Sequence, residues 1–121
     1  MSFKFNPVIK FETHAVFWLV FCLFLTAVPT LANSTHKTHT VAIEGMKFTP
    51  DVLEIEAGDA VVWTNKDIFP HVVYDEKNFK SKTLLELKSF SFKYKRVGTF
   101  PYICALHPTM KALVVVKPLL K

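Results

Sequence analysis

The sequence predicts an all-β domain, folded as a sandwich or a small barrel, behind an apolar N-terminal segment. Short runs of residues alternate between apolar and polar side chains, and turn-forming residues separate the runs at close intervals. No window longer than one turn shows the apolar periodicity of a helix. Because 121 residues are enough for one domain only, the strands are expected to pack around a single core.

The N-terminal segment has the three parts of a secretory signal peptide. Lys4 and Lys10 form a basic start, the apolar run 15–28 follows, and Ala32 offers a small residue for cleavage. The run is shorter than the roughly 20 apolar residues that span a membrane. We therefore predict a signal peptide over residues 1–32 and a periplasmic or otherwise exported protein. No stable membrane span is expected after processing, and an uncleaved anchor is the alternative.

The chain after the signal peptide begins with a polar stretch, 33–39, that is expected to be a flexible leader, and residues 40–121 form the domain. Seven or eight strands are expected in it, among the runs 40–44, 52–56, 60–64, 70–74, 83–87, 90–95, 99–104 and 112–117. The run 90–95 alternates aromatic residues with serine or lysine, as a half-buried strand does. Pro101 falls inside a strand pattern, which predicts an edge position or a strand that starts after it.

The two cysteines of the chain have different fates in this interpretation. Cys22 lies inside the apolar run and is removed with the signal peptide. Cys104 is then a single thiol in a compartment that oxidises thiols. A lone cysteine outside the cytosol requires an explanation, such as an intermolecular disulfide, a reactive thiol or a bound metal.

The charge of the processed chain is mildly basic. Removal of Lys4, Lys10 and Glu12 from the 15 basic and 10 acidic residues leaves 13 and 9. No nucleic-acid-binding module accompanies this charge, and export argues against nucleic acid as a partner. A group of basic residues is most simply a solvated face, although it also fits steering toward an acidic protein; its members are Lys77, Lys80, Lys82, Lys88, Lys93, Lys95 and Arg96.

The motifs of common enzyme classes are missing from the sequence. It has no glycine-rich phosphate loop, no nucleophile-elbow serine and no H-E-x-x-H. The carboxylate pairs 54/56 and 75/76 are expected to be solvated. A nucleophilic pair of Cys104 and His107 would need a third, orienting group, and it would leave Met110 unexplained. The sequence therefore does not favour an enzyme.

Three residues at intervals of three offer soft metal ligands. Cys104, His107 and Met110 lie in a stretch that Pro108 makes a loop or tight turn, so one helical or 3₁₀-like turn would present all three to one point. His71 opens a β-run after a turn and supplies a fourth donor. Two imidazoles, a thiolate and a weak thioether are the ligand set of a blue-copper site, whereas structural zinc takes four strong nitrogen or sulfur donors.

The domain resembles the small cupredoxins, and the amicyanin and plastocyanin-like members most closely. Three stretches carry the resemblance: GMKFTPDVLEIEAGDAVVWTNKD at 45–67, PHVV at 70–73 and GTFPYICALHPTM at 98–110. The Cys-x2-His-x2-Met spacing is short, as in amicyanin, and plastocyanins space the last pair more widely.

The resemblance implies a Greek-key β-sandwich with one type 1 copper, cycling between Cu(I) and Cu(II), at one end. By this resemblance His71, Cys104 and His107 bind copper in a plane and Met110 is the long axial ligand. Asn65 corresponds to the residue that braces the two ligand-bearing loops of the family. The usual glycine soon after the axial methionine is replaced here by Ala112, which restricts the backbone there.

The implied function is an exported, monomeric carrier of single electrons between redox proteins. His107 would be the ligand at the solvent edge, and an apolar docking patch would surround it, formed by Phe69, Pro70, Leu106 and Pro108. Lysines would assist if the partner is acidic. The alternative is a periplasmic protein of the same fold that binds and delivers copper, because the ligands alone do not distinguish the two roles.

Overall fold

The computed structural model describes residues 35–120, and this range contains nine β-strands. They are β1 (Thr38–Glu44), β2 (Lys47–Thr49), β3 (Val52–Glu56), β4 (Ala60–Asn65), β5 (Val73–Asp75), β6 (Phe79–Lys80), β7 (Ser89–Lys93), β8 (Gly98–Cys104) and β9 (Lys111–Lys117). Nothing in this range forms a helix with the length and apolar character of a membrane span. The predicted signal peptide, residues 1–32, lies outside the described residues.

The strands form two sheets that pack face to face. One sheet has the order β2-β1-β4-β7 and the other the order β3-β9-β8-β5-β6. Most neighbours are antiparallel, but β1 runs parallel to β4, and β3 runs parallel to β9. The chain repeatedly crosses from one sheet to the other, as in Greek-key sandwiches. The predicted all-β sandwich is therefore confirmed.

Most of the predicted strands agree with the structure, but one does not. The run 52–56 coincides with β3, and the other agreements differ by a few residues at their ends. The predicted strand 83–87 is wrong, because its only ladder contact is an isolated bridge between Leu84 and His71. Leu87 has a φ of 61°, which ends any extended conformation there. β2 and β6 were not predicted, since three and two residues are too short to show alternation.

Pro101 lies inside β8, a strand with neighbours on both sides. At Pro101 itself, however, the pairing is only with Leu113 of β9. The other neighbour, β5, pairs with residues 103 and 104. The strand is therefore locally an edge at Pro101, which is the position that a residue without an N–H requires.

The core is filled by aromatic and β-branched side chains from both sheets. Trp63 of β4 is fully buried and packs its ring against Tyr102, Phe79 and Phe90, with centroids 5.3–5.9 Å apart. The alternation predicted over 90–95 is confirmed, because the aromatic residues there face the core and the lysines are exposed. Burial of side chains of this size is the main driving force for the fold.

Both ends of the domain are fixed near the turn between β3 and β4. β1 begins at Thr38, so the last two residues of the predicted leader belong to a strand. The carboxylate of Asp59, which is 1% exposed, accepts hydrogen bonds from the backbone N–H of Lys37 (2.7 Å) and from the ring of His39 (2.8 Å). At the other end of the chain, the carbonyl of Lys117 accepts a hydrogen bond from the N–H of Ala57 (2.9 Å).

Asp59→Asn is expected to lower the free energy of unfolding at neutral pH by about 2 kcal/mol, because a buried charge-assisted acceptor is lost. Burial alone would raise the pKa of Asp59, but hydrogen bonds from Lys37, His39 and Glu56 outweigh it and hold the pKa below 3.8. A depressed folded pKa stabilises the fold above the unfolded value and ceases to do so as pH falls through the folded value. Wild type should therefore lose its advantage over the variant below about pH 4.

Denaturant unfolding between neutral and acid pH measures this difference. Asp51→Asn is the control, because Asp51 is an exposed carboxylate. If the two asparagine variants have the same stability at neutral pH, the structural role of Asp59 is wrong.

Candidate metal centre

Cys104 is the last residue of β8 and lies at the end of the sandwich where β4 also ends. Its side chain is fully buried, and it pairs with Val73 across the sheet. The carbonyl of Cys104 accepts a hydrogen bond from the N–H of His107 (3.2 Å), and the carbonyl of His107 accepts one from the N–H of Met110 (2.9 Å). Two successive four-residue turns, 104–107 and 107–110, thus bring the predicted positions back toward one another.

His71 approaches the same point from the segment between β4 and β5. Its backbone forms two hydrogen bonds with Leu84, of 3.1 and 2.7 Å, and its side chain is 0% exposed. The ring is fixed at Nε2, which lies 3.0 Å from a carboxylate oxygen of Asp67. With the proton on Nε2, Nδ1 carries the lone pair that can bind a metal, and this atom faces Cys104.

The three donor atoms form a nearly equilateral triangle. Cys104 Sγ lies 3.6 Å from His71 Nδ1 and 3.7 Å from His107 Nδ1, and the two nitrogens are 3.4 Å apart. Dividing a side of about 3.6 Å by √3 places a point about 2.1 Å from each atom, which is close to metal–imidazole bond lengths in proteins. Within residues 35–120 this is the one group of at least three histidine, cysteine or carboxylate side chains whose donor atoms converge within 4.8 Å.

The chemistry of this triangle fits a transition-metal cation. One thiol proton cannot serve two ring nitrogens that also face each other, so hydrogen bonding alone leaves the cluster incompletely satisfied. A thiolate with two neutral imidazoles carries one negative charge, and these soft and intermediate donors suit copper. The residues present therefore fit a copper ion.

Met110, the fourth predicted site residue, is the last residue of the second turn. Its side chain is 5% exposed and packs in the core, and its carbonyl accepts a hydrogen bond from the N–H of Cys104 (3.1 Å). Ala112 does not disturb this arrangement, because it lies in β9 opposite Tyr102. Among the described residues the only non-glycine residues with a positive φ are Met46 and Leu87. Ala112 is not one of them, so its backbone conformation does not require a glycine.

Asn65 is a fully buried brace next to the site. Its side-chain amide donates to the carbonyls of Phe69 (2.8 Å) and Leu84 (2.9 Å), and its oxygen accepts from the N–H of Asp67 (2.8 Å). The brace thus joins the segment that carries His71 to the segment around Leu84. Within the described residues its side-chain hydrogen bonds do not extend to the loop 104–110, which differs from the expected link between the two ligand-bearing loops.

Asp67 was not predicted and is a central residue of the site. Its carboxylate contacts His71 Nε2 and accepts hydrogen bonds from the N–H groups of Gly45 (2.7 Å) and Met46 (3.0 Å) in the β1–β2 turn. Burial raises its pKa, but these hydrogen bonds and the nearby histidine lower it more, so the pKa lies below the usual 3.8. The only signal in the sequence is a carboxylate four residues before a histidine, which is common in loops without such a contact.

The rim of the site is apolar. All four residues of the predicted docking patch are exposed: Phe69, Pro70, Leu106 and Pro108. Three more exposed apolar side chains, Ile68, Leu85 and Leu87, belong to segments that Asn65 ties together, and they were not predicted as part of the patch. The ring of His107 is half-buried between this rim and the interior.

The other candidate groups do not converge on a second site. Glu54 pairs with Lys117 on the surface. The expectation that Asp75 is solvated is wrong, because this residue is buried; its carboxylate accepts hydrogen bonds from the backbone N–H of Lys77 and the side-chain amide of Asn78 in a local turn. His39 is engaged by the carboxylate of Asp59.

Comparison with known proteins shows which family the chain is similar to. A family model for a cupredoxin-like domain matches residues 14–116. Amicyanin-alpha of Methylorubrum extorquens is 40% identical over 83 residues, which cover 64% of this chain and 70% of that protein. Amicyanin of Paracoccus versutus is 29% identical over 83 residues, covering 64% of this chain and 63% of the relative, less than two thirds of its length.

A solved structure gives the same result for the fold. The structure of a mutant amicyanin in its Cu(I) form superimposes with a TM-score of 0.64 and 28% identity. The match covers 66% of this chain and 82% of that one. The family that the sequence resembles is thereby confirmed.

Asp67→Ala is expected to weaken Cu(I) binding by about 10- to 100-fold, because it removes the acceptor that orients the His71 ring. A competition titration against a chromophoric Cu(I) chelator measures the affinity, and thermal unfolding of the metal-free protein reports any loss of fold separately. Asp51→Ala is the matched control. Equal affinities in the two variants would show that Asp67 does not position His71.

Proposed function

Because the chain belongs to the cupredoxin-like family, we propose that it is an exported type 1 copper protein that carries single electrons between redox partners. The observation that carries this proposal is the convergence of His71 Nδ1, Cys104 Sγ and His107 Nδ1 within 3.7 Å of one another. The donor types are those of blue-copper centres.

In this proposal His71, Cys104 and His107 would hold one copper ion, and the thioether of Met110 would be a weak fourth donor. Copper bound in this way supplies a reversible one-electron change between Cu(I) and Cu(II). No bond of a substrate is made or broken, so the role is that of a carrier and not of an enzyme.

The surrounding chain restricts the movement of the ligands. Asp67 fixes the ring of His71, and Asn65 ties the backbone of Phe69 to that of Leu84, the bridge partner of His71. Two tight turns fix the loop from Cys104 to Met110. Side chains held by packing and by hydrogen bonds cannot rearrange much when the charge of the site changes. Rapid electron transfer requires that the protein rearranges little when the charge of the site changes.

The electron would enter and leave by way of His107, whose ring is half-buried at the rim. Around it the exposed side chains of Phe69 (55% exposed) and Leu106 (49%) offer an apolar surface to a partner. An apolar contact excludes water without requiring matched hydrogen bonds, so a partner can bind briefly and dissociate. The similarity to amicyanins supports a redox protein as the partner. Which redox protein it is differs from one carrier to another.

Export is part of the proposal and rests on the sequence of residues 1–32. Within residues 35–120 the one thiol is that of Cys104, which is buried and would be compatible with an oxidising compartment when bound to metal. The protein is proposed to act as a monomer after removal of the signal peptide.

Cys104→Ser should abolish the intense blue thiolate-to-copper absorption of the oxidised protein, because serine offers no thiolate. The measurement is an optical spectrum of the copper-loaded protein with and without dithionite. Thr109→Ser, an exposed change in the same loop, should stay blue. A blue Cys104→Ser variant would exclude Cys104 as the ligand.

Met110→Gln should keep copper but lower the reduction potential, since an amide oxygen is a harder donor than a thioether and favours Cu(II). Voltammetry of the purified protein measures the potential. Met46→Gln is the control, because Met46 is 38% exposed in the β1–β2 turn. An unchanged potential in Met110→Gln would mean that Met110 is not an axial ligand.

A further inference from the structure

The positive charge of the domain is concentrated in one stretch of twenty residues. The stretch 77–96 contains seven basic residues and one acidic residue, Glu86. The remaining described residues, 35–76 and 97–120, carry five lysines and eight carboxylates. All seven cations of the stretch are exposed, and we call them the basic edge: Lys77, Lys80, Lys82, Lys88, Lys93, Lys95 and Arg96.

The topology places this stretch along one side of the sandwich. β6 is the outermost strand of one sheet, and β7 is the outermost strand of the other. The two strands lie side by side, because the ring of Phe79 packs 5.1 Å from that of Phe90 and 4.6 Å from that of Phe92. The basic edge therefore forms a continuous lateral surface of the domain.

The cations of the basic edge form no ion pair within the described residues, although Asp75 and Glu76 line one groove together with Lys77 and Arg96. The ion pairs of residues 35–120 are His39–Asp59, His71–Asp67 and Lys117–Glu54, and none involves the edge. Lys80 lies 5.9 Å over the ring of Tyr74, and Arg96 contacts the amide oxygen of Asn78. A row of unpaired like charges destabilises a fold by repulsion and creates a positive potential in front of the surface.

Protection of sheet edges explains only a minority of these cations. Lysines on outermost strands prevent pairing with other chains, but only Lys80 and Lys93 lie in β6 and β7. The other five lie in loops, where no free strand edge needs protection.

The basic edge is continuous with the metal end. The same stretch contributes Leu85 (59% exposed) and Leu87 (74%) to the apolar rim. Leu84, which follows β6 and precedes both of them in the chain, forms a β-bridge with His71. At the opposite end, a groove of about 410 Å³ is lined by aromatic and basic residues and has no carboxylate in its lining. Its lining residues are Asn78, Phe92, Lys93, Tyr94, Lys95, Arg96 and Phe100.

We propose that the basic edge is the docking surface for an acidic protein partner, which lies along β6 and β7 with its redox centre at the apolar rim. This inference rests on the proposed electron-carrier function and adds the chemistry of the partner to it. An anionic lipid surface would also attract the cations, but it would gain nothing from a charged side that ends at His107. Charge complementarity along the side, with an apolar contact at the end, both orients a partner and speeds its encounter.

The test is an NMR titration of the ¹⁵N-labelled Cu(I) protein with a decaglutamate peptide at about 10 mM ionic strength, where charges act over about 30 Å. Amide shifts should concentrate in residues 77–96 and disappear at about 1 M salt. The triple variant Lys80→Gln/Lys82→Gln/Lys88→Gln should raise the Kd about tenfold.

The matched control, Lys37→Gln/Lys47→Gln/Lys117→Gln, loses the same charge away from the basic edge and should change the Kd by less than about twofold. Equal effects of the two triple variants, or shifts scattered over the domain, would overturn the proposal. Tighter binding to phosphatidylglycerol vesicles than to the peptide, lost in the edge variant, would overturn it in favour of a membrane. The absence of blue absorption would contradict the electron-carrier function while leaving the peptide result intact, so the two failures are distinguishable.

Discussion

The constraint on which the structure depends is the meeting of three donor atoms from distant parts of the chain. Cys104 and His107 come from one loop, and His71 comes from a segment more than thirty residues earlier. Without a cation, a sulfur and two facing ring nitrogens have little reason to share one point. The two sheets bring the segments to the same end of the sandwich, where the buried hydrogen bonds of Asn65 hold the segment that carries His71 against the segment around Leu84.

Much of this arrangement was predictable because it depends on patterns within short stretches of the sequence. β3 was predicted with its observed bounds, since apolar and polar residues alternate there between clear turn residues. The spacing of Cys104, His107 and Met110 predicted a loop that returns on itself, and the structure closes it with two turns. The stretch 83–87 is rich in leucine, yet it buries only Leu84. Nothing in the sequence predicts the left-handed conformation of Leu87, because leucine rarely adopts it.

What the sequence did not predict depends on contacts between segments. Asp67 is an ordinary loop carboxylate until the β1–β2 turn is seen to offer it two N–H groups and His71 a ring nitrogen. The same carboxylate thus stabilises a hairpin turn and orients an imidazole. Folding and site geometry are coupled through it, so the precision of the site is a product of the whole sandwich and not of the loop alone.

The position of the chain ends has a practical meaning. Lys37 and Lys117 are both held at the turn around residues 57–59, whereas the donor atoms lie beyond Asn65, at the far end of β4. A fused protein or a linker to an electrode that is attached next to Lys37 or Lys117 would therefore be joined at the end of the sandwich opposite His107. Immobilised molecules would present the redox end to solution in a common orientation.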